Sequence, residues 1–310
     1  MIELKHCIKK FSTSKFLGKY TVPQSFFSIS LGKAPTADQL RKGWNMFSET
    51  YANHLEPDNL NFAQSLLIAS RFDKKETILD AGCGSGLATI YILQKLKKMH
   101  TKHKLYSVDI SDKMAELTKK RISQECPDHE NVKSIVEAAN LEDLKFIETH
   151  SLDLYHSNLC FHIVSDVKAV LTEANRVLAP TGTLAFSVMG QKKENSLMTI
   201  MDRTIEELDL PPFDGRDLFY LDKKDLIKGF LEQTGFKMDL FWHQNTGVWF
   251  QDYEEFLTFF NSPQLLAYKK KLKAEQVEKF YSHSKEIYEK VVNSGTVFDF
   301  SAALVIAHKA

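Results

Sequence analysis

The run Thr77-Ile78-Leu79-Asp80-Ala81-Gly82-Cys83-Gly84-Ser85-Gly86-Leu87 decides how this chain is read. An apolar, β-prone segment ends in an acid, passes through glycines at every second position, and continues into an amphipathic stretch. A strand, a glycine loop and a helix in that order make a nucleotide-type turn. Glycine tolerates positive φ and lets a ligand approach the backbone closely, and the helix behind it begins with unpaired N–H groups. Two residues narrow the ligand. A dinucleotide fingerprint needs Gly-x-Gly-x-x-Gly, and Leu87 stands where its third glycine would fall. Asp80 aims a carboxylate into the loop, which would repel a pyrophosphate and suits an ammonium group.

Outward from the loop, short apolar runs alternate with amphipathic stretches, as in βαβ units around a parallel sheet. Strands are expected at 77–80, 105–109, 132–136 and 183–188, with others opening at 152–155 and at 236–241 and a long apolar strand at 297–307 that could close the sheet. The alternation in Val132–Val136 marks an edge strand. Helices are expected at 87–98, from Ser111 (a natural cap) and Asp112, at 166–178 and at 222–234. Ala179-Pro180-Thr181-Gly182 reads as the turn that ends the 166–178 helix. Residues 36–72 read as helical. Residues 190–221 and 252–294 interrupt the rhythm with helical patterns containing Pro211, Pro212 and Pro263. Insertions beside the carboxyl edge of a parallel sheet commonly cap a ligand site. Asp109 closes the second strand about twenty residues after the loop, where a carboxylate can bind both hydroxyls of a ribose.

With the loop and Asp109 in place, the sequence resembles the class I S-adenosylmethionine methyltransferases, and within them the small-molecule branch that includes the ubiquinone/menaquinone C-methyltransferases. The resemblance covers roughly residues 42–309. It is carried by Trp44-Asn45-Met46-Phe47-Ser48-Glu49-Thr50-Tyr51, by Leu79–Gly86, and by Asn175-Arg176-Val177-Leu178-Ala179-Pro180-Thr181-Gly182-Thr183-Leu184. It implies a doubly wound, Rossmann-like α/β fold with a seven-stranded sheet, the last strand antiparallel, and helical cap insertions. The implied layout is an N-terminal extension at 1–35, a helical lead-in at 36–75, and a methyltransferase domain at 76–310 with insertions at about 190–221 and 252–294.

The implied cofactor is S-adenosyl-L-methionine. Asp80, Gly82, Cys83, Gly84 and Gly86 would meet its methionine part and Asp109 its ribose, with Ile110, Met114, Asn140, Leu141 and Ser157 as further contacts. Asn140 stands where the family usually has an acid facing the adenine amino group, and its amide oxygen can still accept from that group. Thr181 replaces a family glycine. Methyl transfer to a carbon acid or a phenol needs a base, whereas other acceptors need only alignment and exclusion of water. His162, after the fourth strand, is the first candidate base or acceptor contact, and Tyr51 of the lead-in helix the second. Each has a plain structural alternative, a backbone-bonded histidine or a packing tyrosine. Phe219, Tyr220, Trp242 and Trp249 would suit a planar or lipid-like acceptor, and would equally suit a core. Leu210-Pro211-Pro212-Phe213 resembles the motif of enzymes that methylate exocyclic base amines. It falls outside the fourth strand and lacks the leading Asn or Asp.

Charge and composition bound the rest. Lys+Arg and Asp+Glu balance at 40 each, so no global field favours nucleic acid or an anionic membrane. Four cysteines without C-x-x-C spacing argue against a zinc site or a disulfide framework. No metal is expected, and no apolar run is long enough to span a bilayer. The expected protein is a cytoplasmic monomer or homodimer with a small, partly apolar substrate. The Lys- and Ser/Thr-rich residues 1–20 leave a mitochondrial targeting segment open. A non-catalytic, methyltransferase-like assembly subunit is the competing expectation.

Overall fold

A computed structural model describes residues 34–127, 130–213 and 216–310. The targeting expectation for the N-terminus therefore lies outside the described residues. The lead-in comprises α1 (Ala37–His54) and α2 (Glu56–Ala69). Thr36 and Gln39 form a reciprocal capping box at the start of α1, each side chain accepting the other's backbone N–H. In α2 the residues Phe62, Ala63, Leu66 and Leu67 repeat at helical spacing and are fully buried. Each large side chain so buried contributes about 1.5–3 kcal/mol. The Phe62 ring meets Phe300 edge-on at 5.7 Å, which pins α2 to the sheet.

The sheet and its helices then follow as β1 (Thr77–Ala81), α3 (Leu87–Leu96), β2 (His103–Asp109), α4 (Asp112–Glu125), β3 (Val132–Ala138), β4 (Leu152–Ser157), α5 (Val167–Val177) and β5 (Leu178–Met189). Next come α6 (Ile200–Glu207), α7 (Lys224–Gln233), β6 (Phe236–Val248), α8 (Tyr253–Phe260), α9 (Pro263–Lys269), α10 (Ala274–Asn293) and β7 (Phe298–Lys309). The strand order is β3-β2-β1-β4-β5-β7-β6. β7 runs antiparallel to both of its neighbours, and the remaining pairs are parallel. This is the doubly wound, seven-stranded sheet with an antiparallel last strand that the sequence implies, and β3 is an edge as its alternation suggests. Ser111 caps α4 by accepting from the Met114 N–H, as read from the sequence.

Several boundaries differ from the sequence reading. β5 starts at Leu178 rather than at Thr183. Leu178 pairs with Leu152, and residues 179–182 then bulge out before Thr183 pairs with Leu154. The Pro180 and Gly182 that read as a turn thus sit in an irregularity of the strand. Gly182 is needed there, since a Cβ would lie 2.9 Å from the carbonyl oxygens of Ala179 and Leu152. β6, which begins at Phe236 as read from the sequence, runs on to Val248, because the long β7 offers partners for Gln244, Asn245, Thr246 and Gly247. β2 gains His103 and Lys104 at its start, paired with Val132 and Lys133 of β3.

The segment 252–294 is helical, as expected, and carries α8–α10, whereas the described residues of 190–221 hold α6 and a single 3-10 turn among irregular backbone. Phe250, Phe256, Tyr288 and Phe298 form an aromatic block in which Phe256 lies 4.9 Å from Tyr288 and 5.9 Å from Phe298 between ring centroids. Phe219 and Tyr220 are buried, Trp242 is half-buried, and Trp249 is exposed. Among the described residues no helix is long and apolar enough to cross a membrane.

Candidate active site at the carboxyl ends of β1 and β4

β1 pairs with β2 on one side and β4 on the other, so the chain order reverses at β1. In open α/β sheets a crevice forms at such a reversal, outside the carboxyl ends of the strands. The glycine loop fills this position. Gly84 has φ +58° and Gly86 has φ +93°, backbone that L side chains rarely adopt. At Gly86 a Cβ would also approach Oγ1 of Thr118 to 2.8 Å, so α4 packs against the loop with no room for a side chain. The N–H groups of Gly82 and Cys83 turn inward to Val108 O, which fixes the loop to the end of β2.

Three acids converge on the loop. Asp80 is 2% exposed and accepts from Thr89 Oγ1 at 2.6 Å and from His156 Nδ1 at 3.0 Å. The pairing of Asp80 with His156 across β1 and β4 is a register partnership, so the imidazole is delivered by strand alignment. His156 is fully buried, and its Nε2 has no hydrogen-bond partner among the described residues. Asp109 accepts from the N–H groups of Gly84 at 3.0 Å and Ser111 at 2.9 Å. Burial nevertheless pushes its pKa up to about 7, against those two backbone donors and with help from the nearby charges of Asp80 and Glu56.

Glu56, at the start of α2, is the third acid. Its carboxylate accepts from Ser85 N at 3.0 Å and Leu87 N at 3.5 Å, from the Ser85 hydroxyl, and from Arg121 Nη1 at 2.8 Å. Burial raises its pKa more than the Ser85 and Arg121 contacts lower it. An own-chain carboxylate therefore covers the N-terminus of α3, where an anionic ligand would otherwise bind.

Between α2, the loop and the start of α3 lies a pocket of about 310 Å³, its open mouth included. Tyr51, Glu56, Asn59, Asp80 and Asn158 give it polar walls, and Leu60, Ala63, Leu87 and Ala88 apolar ones. Gly82 and Cys83 complete the floor. Asn158 ties the walls together: its Nδ2 donates to Asn59 O at 3.2 Å and its Oδ1 accepts from Ser187 at 2.7 Å. The next residue, Leu159, is held at φ +50°, a backbone strain of about 1–3 kcal/mol beside the pocket.

The structure brings Asp80, Gly82, Cys83 and Tyr51 together around this pocket, with Gly84 adjoining Tyr51 and Glu56. Tyr51 Oη accepts from Asn59 Nδ2 at 3.4 Å, and burial pushes its phenol upward, so it stays protonated. Asp109, Ile110 and Met114 lie along the β2–α4 corner, where Arg41 of α1 donates to Ile110 O at 3.1 Å. Asn140 and Leu141 follow β3, which is in register with β2 up to Asp109 and Ala138. Asn140 Oδ1 accepts from Glu142 N at 3.2 Å. Ser157 donates its hydroxyl to Ala81 O at 2.8 Å.

His162 is not among the residues lining the pocket. It is 2% exposed, its Nδ1 has no partner among the described residues, and burial with the nearby Arg216 charge lowers its pKa to about 3. The sequence reading did not single out Glu56, Asn59, Asn158, His156 or Arg121. Of these, His156 leaves a signal, a titratable side chain following Leu154 and Tyr155 in a buried strand.

The glycine loop at the switch point and a seven-stranded sheet with its last strand antiparallel make a Rossmann-like fold. Residues 79–186, about a third of the chain, match the family model described as a methyltransferase domain. It is 28% identical over 175 residues to the malonyl-[acyl-carrier protein] O-methyltransferase of Bacillus anthracis, covering 54% of this chain and 59% of that protein. It is 33% identical over 120 residues to the ubiquinone/menaquinone biosynthesis C-methyltransferase of Rickettsia typhi, covering 39% of this chain and 47% of that one. The chain spans only 41–59% of the length of such carrier-protein relatives. Among solved structures, the [4+2]-cyclase SpnF superposes with a TM-score of 0.54 at 14% identity, covering 90% of this chain and 98% of that one. This last likeness concerns the fold alone.

Proposed function

We propose that this chain is an S-adenosylmethionine-dependent methyltransferase acting on a small, partly apolar acceptor. The observation that carries the reading is the pocket at the β1/β4 switch point, walled by Asp80 and Glu56, with no Lys, Arg or His among the described residues that line it. Such a pocket suits a cationic ligand and opposes a pyrophosphate. The methyltransferase relatives agree with it. Their names, which specify malonyl-[acyl-carrier protein] O-methylation and C-methylation in ubiquinone/menaquinone biosynthesis, are the grounds for a small-molecule acceptor here.

The residues present fit the cofactor. Asp80, with donors on both oxygens from Thr89 and His156, keeps its remaining lone pairs for an ammonium. Asp109 offers carboxylate oxygens to ribose hydroxyls. Ile110, Met114 and Leu141 would flank the adenine, with Asn140 at its amino edge. When bound, S-adenosylmethionine supplies a methyl carbon made electrophilic by sulfonium. The chain's own contribution is alignment and exclusion of water. α1 supports this by placing Tyr51 over the loop, where Cε1 of its ring lies 3.2 Å from the point a Gly84 Cβ would occupy. His162, neutral at physiological pH and outside the residues that line the pocket, does not act as a base tuned to pH 7 in this reading.

Calorimetry with S-adenosylmethionine and S-adenosylhomocysteine tests the reading. Wild-type protein should bind both, and Gly84→Val should lose about 10-fold or more, because its side chain would press on Tyr51 and Glu56. Absence of binding at millimolar ligand would overturn the enzyme reading and favour a non-catalytic relative.

A further inference from the structure

The pocket holds one acceptor with nothing to accept. Asn59 of α2 is 4% exposed and lines the pocket, and its Oδ1 has no hydrogen-bond partner among the described residues. The rest of the residue is committed: Nδ2 donates to Tyr51 Oη and the backbone carbonyl accepts from Asn158. A buried amide oxygen without a donor costs about 1–3 kcal/mol, and a native fold tolerates that where a ligand or water meets it. Beside it stand Asp80, whose two oxygens already hold Thr89 and His156 in place, and Glu56.

Glu56 also sets the polarity of the site. Its carboxylate takes the N–H groups of Ser85 and Leu87, and Gly84 N goes to Asp109, so the loop has few donors left for an anion. The pocket is rich in acceptors and poor in donors, which is the environment of a group carrying several N–H donors and a positive charge.

We infer that Asn59 Oδ1 and Asp80 together form an ammonium clamp for the amino-acid end of the adenosyl ligand, so that α2 supplies half of that subsite. The inference rests on the methyltransferase reading and adds to it a binding residue outside the glycine loop. It fixes the ligand's direction: the ammonium enters the α2 pocket and the carboxylate stays toward its mouth. Glu56 contributes charge and holds α2 against the loop, while Asn59 supplies selectivity for the amino group.

The test compares two ligands by calorimetry and by ligand-observed NMR. S-adenosylhomocysteine carries the amino-acid end, and 5′-methylthioadenosine keeps the nucleoside and sulfur without it. Asn59→Leu should weaken S-adenosylhomocysteine binding about 10-fold or more, the worth of a hydrogen bond to a charged group, and leave 5′-methylthioadenosine within about twofold. Asn59→Asp, which keeps an acceptor at this position, should bind S-adenosylhomocysteine at least as tightly as wild type. Equal losses for both ligands in Asn59→Leu would mean that Asn59 only packs α2, and unchanged binding of both would mean it touches no ligand; either overturns the clamp. Wild-type protein that binds neither compound would overturn the methyltransferase reading itself, an outcome distinct from the other two.

Discussion

Asp109 is a carboxylate that the fold places under electrostatic load. Two backbone donors favour its charged form, but burial and the neighbouring acids outweigh them and bring its pKa to about 7. An acid with a higher pKa folded than unfolded adds stability that is complete below its unfolded value, about 4, and lost as pH rises through its folded value. Wild-type stability should therefore decline between about pH 4 and about pH 7 with a slope of up to about 1.4 kcal/mol per pH unit from this group. Asp109→Asn removes that slope while leaving the contribution of Glu56 in both proteins. Urea melts of the two across this range check it, and parallel pH dependences would show that Asp109 ionises at an ordinary carboxylate pH. Asp109 and Asp80 were legible because each ends a strand at a fixed distance from the glycine loop. His156 and Asn59 were not. The role of His156 comes from the β1–β4 register, and that of Asn59 from the docking of α2, neither of which is written in local sequence.

Among the elements, α2 carries the most that spacing could not reveal. Its helical character was readable, and its buried Phe62, Ala63, Leu66 and Leu67 explain its seat on the sheet. That its first residue reaches the glycine loop was not, because Glu56 looks like an ordinary first-turn acid. The Glu56 side chain is 8% exposed and Arg121 22%, so the pair joins α2 to α4 across the start of α3 in a poorly hydrated place. Removing one partner from such a pair strands the other. Arg121→Met should cost roughly 3 kcal/mol, at the low end for buried pairs because the guanidinium is partly wet. Adding Glu56→Gln to that variant should restore most of the loss. Chemical denaturation of the two single variants and the double completes the cycle, and additive effects would show that the ion pair does not hold the helix. The misjudged start of β5 has the same origin. Pro180 and Gly182 are local turn signals, and pairing with β4 overrode them.

Across the whole molecule, the fold class and antiparallel last strand follow from alternation and from the resemblance, whereas the packing of the inserted helices does not. Amphipathic spacing shows that 252–294 is helical but says nothing of whether those helices hinge over the sheet or share its core. The structure gives a physical answer. Phe256 of α8 is fully buried among Phe250, Phe260, Tyr288 and Phe298, and thus sits between α8, α10 and the start of β7. β7 in turn forms the antiparallel pairs on both of its sides that complete the sheet. Helices bonded to the last strand through an aromatic block should unfold with the sheet rather than ahead of it. Phe256→Ala should cost about 3–5 kcal/mol, the range for truncating a buried phenylalanine. Urea unfolding followed by near-UV and far-UV circular dichroism should then show one coincident transition, displaced to lower denaturant. An early near-UV transition that leaves the far-UV signal of the sheet intact would instead show α8–α10 to be a separately melting lid, and would place the aromatic block outside the common core.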